Sequence, residues 1–265
     1  MAGHELLTVE TRGGKIRTQV YKGGQGAPLV WLHGALGVSG WEPQLQALSQ
    51  HFTVYAPVQP GVGLSEGLEE LDDVWDLTLS YLELFDALDL QQVALVGHSY
   101  GGMLAAEIAA MAPERVSKLV LVGAVGLWLD DRPVLDYWAA TPKEQAKATF
   151  HDPQGLVAQM AAAAVPTEAK ARNDYLVATI INIAATLGKF AWPIPDKGLK
   201  KRIHRIKAPT LLIWGKSDGV VPPVYADQFA ARIAGARVEL LDGAAHVPYL
   251  ERLDAFGPLV TEFCR

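Results

Sequence analysis

Short, unbroken apolar runs alternate along this chain with stretches whose apolar residues recur every three to four positions. Pro28 to Leu32, Phe52 to Ala56, Val93 to Val96, Leu119 to Val122, Thr210 to Trp214 and Val238 to Leu241 are such runs. Strands covered on both faces carry them, because neither face meets water. Leu6 to Glu10 and Lys15 to Tyr21 flank Gly13-Gly14 and predict a hairpin. Between the runs, Val74, Leu77, Tyr81, Leu84, Phe85 and Leu88 line one face of a helix over Val74 to Leu88. Gly102 to Met111 is Ala-rich and is stopped by Pro113; Pro223 to Ile233 and Leu253 to Phe263 predict two further helices. Strand and helix in alternation imply an α/β fold, with a mostly parallel sheet, helices on both faces and right-handed crossovers.

One stretch breaks the rhythm. From Ala124 to Lys207 there is no clear strand run, but there are several helical stretches and prolines at 133, 142, 153, 166, 193 and 195. Strand-like runs resume at Thr210. The expected organisation is therefore one core, residues 1–123 and 208–265, interrupted by a helical insertion, 124–207. No internal repeat or low-complexity linker is visible.

Composition narrows the classes of function. The chain has 265 residues, half of them hydrophobic and 20% charged, which is globular rather than disordered composition. Net charge is −6, and the one dense basic cluster, Lys200 to Lys207, is read as a solvated helix end, so no nucleic-acid partner is expected. A single cysteine, Cys264, forbids an internal disulfide. Met1 to Arg12 lacks the apolar core of a signal peptide. The apolar stretches Leu119 to Leu129 and Tyr175 to Leu187 fall short of the roughly 18 residues of a membrane span. A cytoplasmic location is expected. No residue pattern favours a monomer over a homo-oligomer.

The strongest chemical signal is Gly97-His98-Ser99-Tyr100-Gly101-Gly102. Gly-x-Ser-x-Gly alone is a weak motif, but here a strand run ends at Gly97 and a helix-prone run begins after Gly101. That context predicts a strained strand-to-helix turn that lifts a serine hydroxyl above the sheet edge. A serine needs a base, and the base needs an orienting acid. Of seven histidines, only His246 follows the last strand run in a glycine-containing loop, at the sheet edge where open α/β folds bind ligands. His4, His51, His151 and His204 stand in polar surroundings and are read as surface residues, while His98 is expected to turn away from the reacting face. Asp218, in the loop Trp214-Gly-Lys-Ser-Asp218 after another strand run, is the expected acid. Asp242, Asp130 and Asp131 are the competitors. In Leu32-His33-Gly34-Ala35-Leu36-Gly37, a loop after an early strand, Ala35 is the expected oxyanion donor through its backbone N–H, with Leu36 adjacent; Tyr100 supplies the second. His33 is read as a brace for that loop. No metal ligands are expected.

With these residues in place, the chain resembles members of the α/β-hydrolase superfamily, from about Leu6 to Phe263. His33-Gly34, Gly97-x-Ser99-x-Gly101, Trp214-Gly-x-x-Asp218 and Gly243-x-x-His246 match in type and order. The resemblance implies an eight-stranded, mostly parallel sheet, a helical cap inserted after the sixth strand and lying over the site, and no cofactor. Ser99 stands where haloalkane dehalogenases and soluble epoxide hydrolases carry an aspartate, so neither activity is expected. Carbon–carbon bond hydrolases of the meta-cleavage type usually show a Gly-rich stretch after His-Gly, an Asn in the elbow and a Trp beyond the histidine. Here Ala35-Leu36, His98 and Val247-Pro248-Tyr249 stand instead. The His-Gly-Gly-Pro-Gly of proline iminopeptidases is absent.

The expected activity is hydrolysis of a small-molecule carboxylic ester, small to medium and apolar, by Ser99, His246 and Asp218. Carbon–carbon bond hydrolysis and perhydrolysis are alternatives on the same residues, and a slow-turnover, receptor-like ligand binder is an alternative of another class. The expected pocket is lined by Leu36, Leu127, Trp128, Trp138, Phe190, Trp192, Val220 and Val247.

Overall fold

A computed structural model describes residues 3–38 and 40–265. Met1 and Ala2, at the head of the segment examined for a leader, and Ser39 lie outside the described residues. Eight strands form one sheet: β1 (His4–Thr11), β2 (Ile16–Gly23), β3 (Pro28–Leu32), β4 (Thr53–Pro57), β5 (Val93–His98), β6 (Val116–Val122), β7 (Thr210–Gly215) and β8 (Arg237–Leu241). Their order across the sheet is β1-β2-β4-β3-β5-β6-β7-β8. β1 pairs antiparallel with β2, and β2 with β4; every other neighbour is parallel.

The continuous apolar runs have a simple cause. In β5, Val93 and Leu95 join one apolar cluster while Ala94 and Val96 join another on the opposite face. β6 and β7 divide in the same way, with Leu119, Leu121, Leu212 and Trp214 on one side and Val120, Val122, Leu211 and Ile213 on the other. Alternate residues point to opposite faces of a strand, so a strand roofed twice must be apolar throughout.

Nine helices are described: α1 (Pro43–Leu48), α2 (Val74–Ala87), α3 (Tyr100–Met111), α4 (Pro142–Thr149), α5 (Leu156–Ala163), α6 (Ala169–Ile183), α7 (Val224–Ala230), α8 (Pro248–Glu251) and α9 (Leu253–Cys264). Asp73 caps α2, its carboxylate accepting the N–H groups of Trp75 and Asp76. α3 starts at Tyr100, two residues before the helix-prone run suggested, because the turn at Ser99 feeds straight into it. Every residue of α3 from Tyr100 to Ala110 is buried, which is why its sequence shows no polar stripe.

Residues 124–207 carry α4, α5 and α6 and no strand among the described residues. The ends of this stretch are part of the core: Ala124, Val125 and Leu127, and later Leu199, Ile203 and Ile206, join the cluster that holds α3. The basic cluster is largely solvated, as read, with Lys200, Lys201, His204, Arg205 and Lys207 exposed, but it is not the end of an α-helix. It forms two 3₁₀ turns, Leu199–Lys201 and Ile203–Arg205, laid against α3. The Arg202 guanidinium reaches the buried Glu107 carboxylate of α3 (Nε to Oε2, 2.8 Å), and Arg205 donates to the Ala110 carbonyl. A buried carboxylate needs a charged partner, and the insertion supplies it. α6 buries none of its side chains, and Leu176, Val177, Ile180 and Ile181 are exposed. No helix among the described residues is long and apolar enough to cross a membrane.

Candidate active site

The site sits at the C-terminal ends of β5, β7 and β8. Ser99 caps β5 with φ +53° and ψ −115°, a conformation costly for a residue with a side chain. The strain is held by backbone. Ser99 donates its N–H to the Val122 carbonyl of β6 (2.8 Å), and its own carbonyl accepts from Gly102, Met103 and Val125. The flanking glycines are steric necessities: a Cβ on Gly97 would lie 2.3 Å from the Gly101 carbonyl oxygen, and one on Gly101 2.3 Å from that of Leu32. The elbow therefore cannot admit larger residues without separating α3 from the sheet.

His246 brings its Nε2 to 2.9 Å from Ser99 Oγ and its Nδ1 to 2.9 Å from Asp218 Oδ2. All three residues are buried. An ionised carboxylate only accepts, so Nδ1 carries the imidazole proton and Nε2 presents its lone pair to the serine hydroxyl. The other oxygen of Asp218 is fixed by two backbone donors, the N–H groups of Val220 (2.9 Å) and Val221 (2.8 Å). The rival carboxylates lie elsewhere. Asp242 pairs with Lys216 at the surface, Asp130 accepts from the Trp128 indole, and Asp131 is exposed.

Neither the Ala35 nor the Tyr100 N–H is engaged by a protein acceptor among the described residues. Tyr100 is the first residue of α3, where helix N–H groups have no partner within the helix. On the other loop the Gly34 carbonyl is held by His33 Nδ1 (2.7 Å) and the Gly37 N–H (3.1 Å). A trans peptide points its C=O and N–H in opposite directions, so this anchoring also fixes where the Ala35 N–H points. His33 Nε2 accepts from the Gln59 N–H (3.0 Å), leaving Nδ1 as the donor. His33 is thus a neutral brace, and burial lowers its pKa accordingly.

His98 departs from expectation. Its ring is not turned away: it borders the cavity, stands 4.8 Å from the His246 ring and donates from Nε2 to the His246 carbonyl (2.8 Å). Residue 98 is the last of β5, and the tight turn places its side chain beside the β8 loop rather than beneath it. Burial first, and the neighbouring His246 second, hold its pKa well below the usual histidine value. The four histidines read as surface residues are all exposed; three are engaged, His151 with its Nδ1 2.8 Å from Ser217 Oγ, His51 accepting from Arg265, and His4 stacked on Trp41.

A cavity of about 370 Å³ opens over Ser99. Leu36, Trp128, Trp138, Trp192, Val220 and Val247 line it as expected. Leu127 and Phe190 do not; both side chains are buried in the cluster that holds α3. Tyr137, Thr149, Ile183 and Leu187 also border the cavity, although no motif marks them. Tyr137 is tied to Thr149 through their hydroxyls (2.8 Å), and burial raises its pKa. Among the described lining residues none is Lys or Arg, and Asp136 is the one carboxylate. An Asp136 oxygen accepts the N–H groups of Trp138 and Ala139.

The fold agrees with comparison to known proteins. The family profile described as alpha/beta hydrolase fold matches residues 27–253. The chain belongs to that family. It is 30% identical to a 2-hydroxymuconate semialdehyde hydrolase of a Pseudomonas species, over 94% of this chain and 90% of the relative. It is 28% identical to a 2-hydroxy-6-oxo-2,4-heptadienoate hydrolase of Pseudomonas putida, over 94% and 93%. In fold it is similar to a meta-cleavage product hydrolase of Pseudomonas fluorescens, with TM-score 0.76, 23% identity, and 97% and 96% of the two chains covered. The protein is an alpha/beta hydrolase with an eight-stranded, mostly parallel sheet.

Proposed function

We propose that this hydrolase cleaves neutral carboxylic esters with small to medium apolar groups, through an acyl-enzyme on Ser99. The observation that carries the reading is the hydrogen-bonded chain Ser99–His246–Asp218 at the floor of a cavity with mostly apolar walls and no Lys or Arg among its described lining residues. His246 Nε2 takes the hydroxyl proton as Ser99 Oγ attacks the carbonyl carbon, and Asp218 stabilises the imidazolium that forms. The oxyanion develops against the N–H groups of Ala35 and Tyr100, each worth about 3 kcal/mol to the transition state. The alcohol leaves with the proton from His246. Water then attacks the acyl-enzyme by the same path. Residues 124–207 serve as the cap that closes the acyl and alcohol pockets.

A second reading, carbon–carbon bond hydrolysis, is favoured by the names of the relatives. Ketone cleavage could use the same serine and oxyanion donors. The heptadienoate named for one relative is a carboxylate, however, and burying it in this cavity would leave an anion without a cation beside it.

Steady-state hydrolysis of a p-nitrophenyl ester series from acetate upward, beside a 2-hydroxy-6-oxo-dienoate and the Ser99→Ala variant, tests the reading. Ester turnover that Ser99→Ala reduces by several orders of magnitude is expected. Turnover of the dienoate with esters untouched would replace it with the second reading. Stoichiometric acylation without turnover would make the protein a ligand binder.

A further inference from the structure

The loop that carries His246 is gripped from outside the triad. In the half-exposed Glu251 side chain at the end of α8, Oε2 accepts the Ala245 N–H, one residue before His246, at 2.7 Å. Its Oε1 accepts the N–H of His151, in the insertion, also at 2.7 Å. The neighbouring contacts join the same three segments. His246 donates its N–H to the Thr149 carbonyl (3.0 Å), and Gly219, next to Asp218, donates to the Ala148 carbonyl (3.0 Å). The His151 ring meets Ser217 of the acid loop. The end of α4 is thus wedged between the acid loop and the base loop, and one carboxylate pins it to the base loop.

We propose that Glu251 is a positioning residue for His246: by accepting one N–H from the base loop and one from the insertion, it holds the imidazole in line between Ser99 and Asp218. The inference rests on the serine-hydrolase reading and concerns the same site. Only a side chain with two acceptor oxygens of this reach can perform the task. An amide keeps one bond and turns an NH₂ group towards the other N–H donor. Aspartate keeps both acceptors and the charge but is one methylene shorter. A displacement of His246 by a fraction of an ångström weakens proton transfer from Ser99 without altering the cavity walls.

The test is the rate at which a fluorophosphonate modifies Ser99, which depends on His246 but on no particular substrate class, measured for wild type, Glu251→Gln and Glu251→Asp. Thermal melts and kcat and KM on the best substrate accompany it. Expected are at least a roughly tenfold fall in labelling rate and kcat for Glu251→Gln, with KM within about threefold, and incomplete recovery in Glu251→Asp. Glu251→Gln labelling within threefold of wild type would overturn the inference. So would full recovery in Glu251→Asp, since the reach of the side chain would then not matter, or a loss confined to KM. If Glu251→Gln melts below the assay temperature, the Asp variant decides by the same criteria. A wild-type protein that reacts at no measurable rate would sink the serine-hydrolase reading itself and this inference with it, an outcome distinct from equal labelling of wild type and variant.

Discussion

Asp218→Asn isolates the role of the acid, because the structure dictates which way the amide must lie. Asp218 Oδ1 accepts two backbone N–H groups, from Val220 and Val221, while Oδ2 faces His246 Nδ1. An asparagine would keep its carbonyl oxygen on the two N–H donors. Reversing it would forfeit two bonds of about 1 kcal/mol each and oppose donors to donors. At least ~2 kcal/mol of preference corresponds to about 30 to 1, so roughly 97% of molecules would aim the NH₂ at His246. Nδ1 must then accept, the imidazole proton moves to Nε2, and Nε2 donates to Ser99 instead of receiving its proton. The base is lost while the geometry persists. Turnover at neutral pH should fall about 10⁴-fold, as expected for a wrong tautomer. Folding stability should change by no more than about 2 kcal/mol, since both N–H bonds remain satisfied. Stopped-flow ester hydrolysis and fluorophosphonate labelling measure the loss of the base, and urea denaturation measures the stability. A variant that retains more than a tenth of wild-type turnover would refute the assignment of Asp218.

Three further outcomes follow from the geometry. Arg202→Ala leaves the Glu107 carboxylate buried without its guanidinium and should cost about 3 kcal/mol at pH 7. Burial already raises the Glu107 pKa above the unfolded-state value, and losing Arg202 raises it further. The folded variant then holds a proton the unfolded chain lacks, so urea midpoints measured from pH 7 towards 5 should show part of the loss recovered. His98 is the opposite case. Its pKa is depressed in the folded state, so its contribution is complete above the unfolded value near 6.5 and is lost as pH falls below it. Removing that proton uptake in His98→Asn should flatten the stability–pH slope below pH 6.5 by up to about 1.4 kcal/mol per unit; an unchanged slope would show His98 ionises freely in the fold. Phe190→Ala should cost about 3–5 kcal/mol by opening a core cavity, whereas Trp192→Ala, half-exposed at the pocket, should change ester chain-length preference and leave the melting temperature within a few degrees.

The family and the three side chains of the proposed triad are legible in the sequence because they depend on local backbone requirements. Ser99 is marked by glycines that no other residue can replace at that turn, and Asp218 and His246 by apolar runs that end just before them. The sequence ranks Asp218 above Asp242, and the tertiary contacts separate the two. Both follow strand runs, and what distinguishes them is which carboxylate the His246 ring faces.

What the sequence determines by itself is the alternation of doubly buried strands and helices and the strained turn at Ser99, since short-range sterics and hydrophobic periodicity fix these. What only the tertiary structure decides is how the insertion meets the core. Leu127 and Phe190 turn into the apolar cluster while Trp128 and Trp192 face the cavity; His98 rests against His246; Glu251 joins the base loop to His151, a hundred residues before it. Those relations depend on distances between segments remote in the chain. Neighbouring apolar residues carry the same hydrophobicity whichever way they point, and a carboxylate shows no trace in sequence of the two N–H groups that folding brings to it.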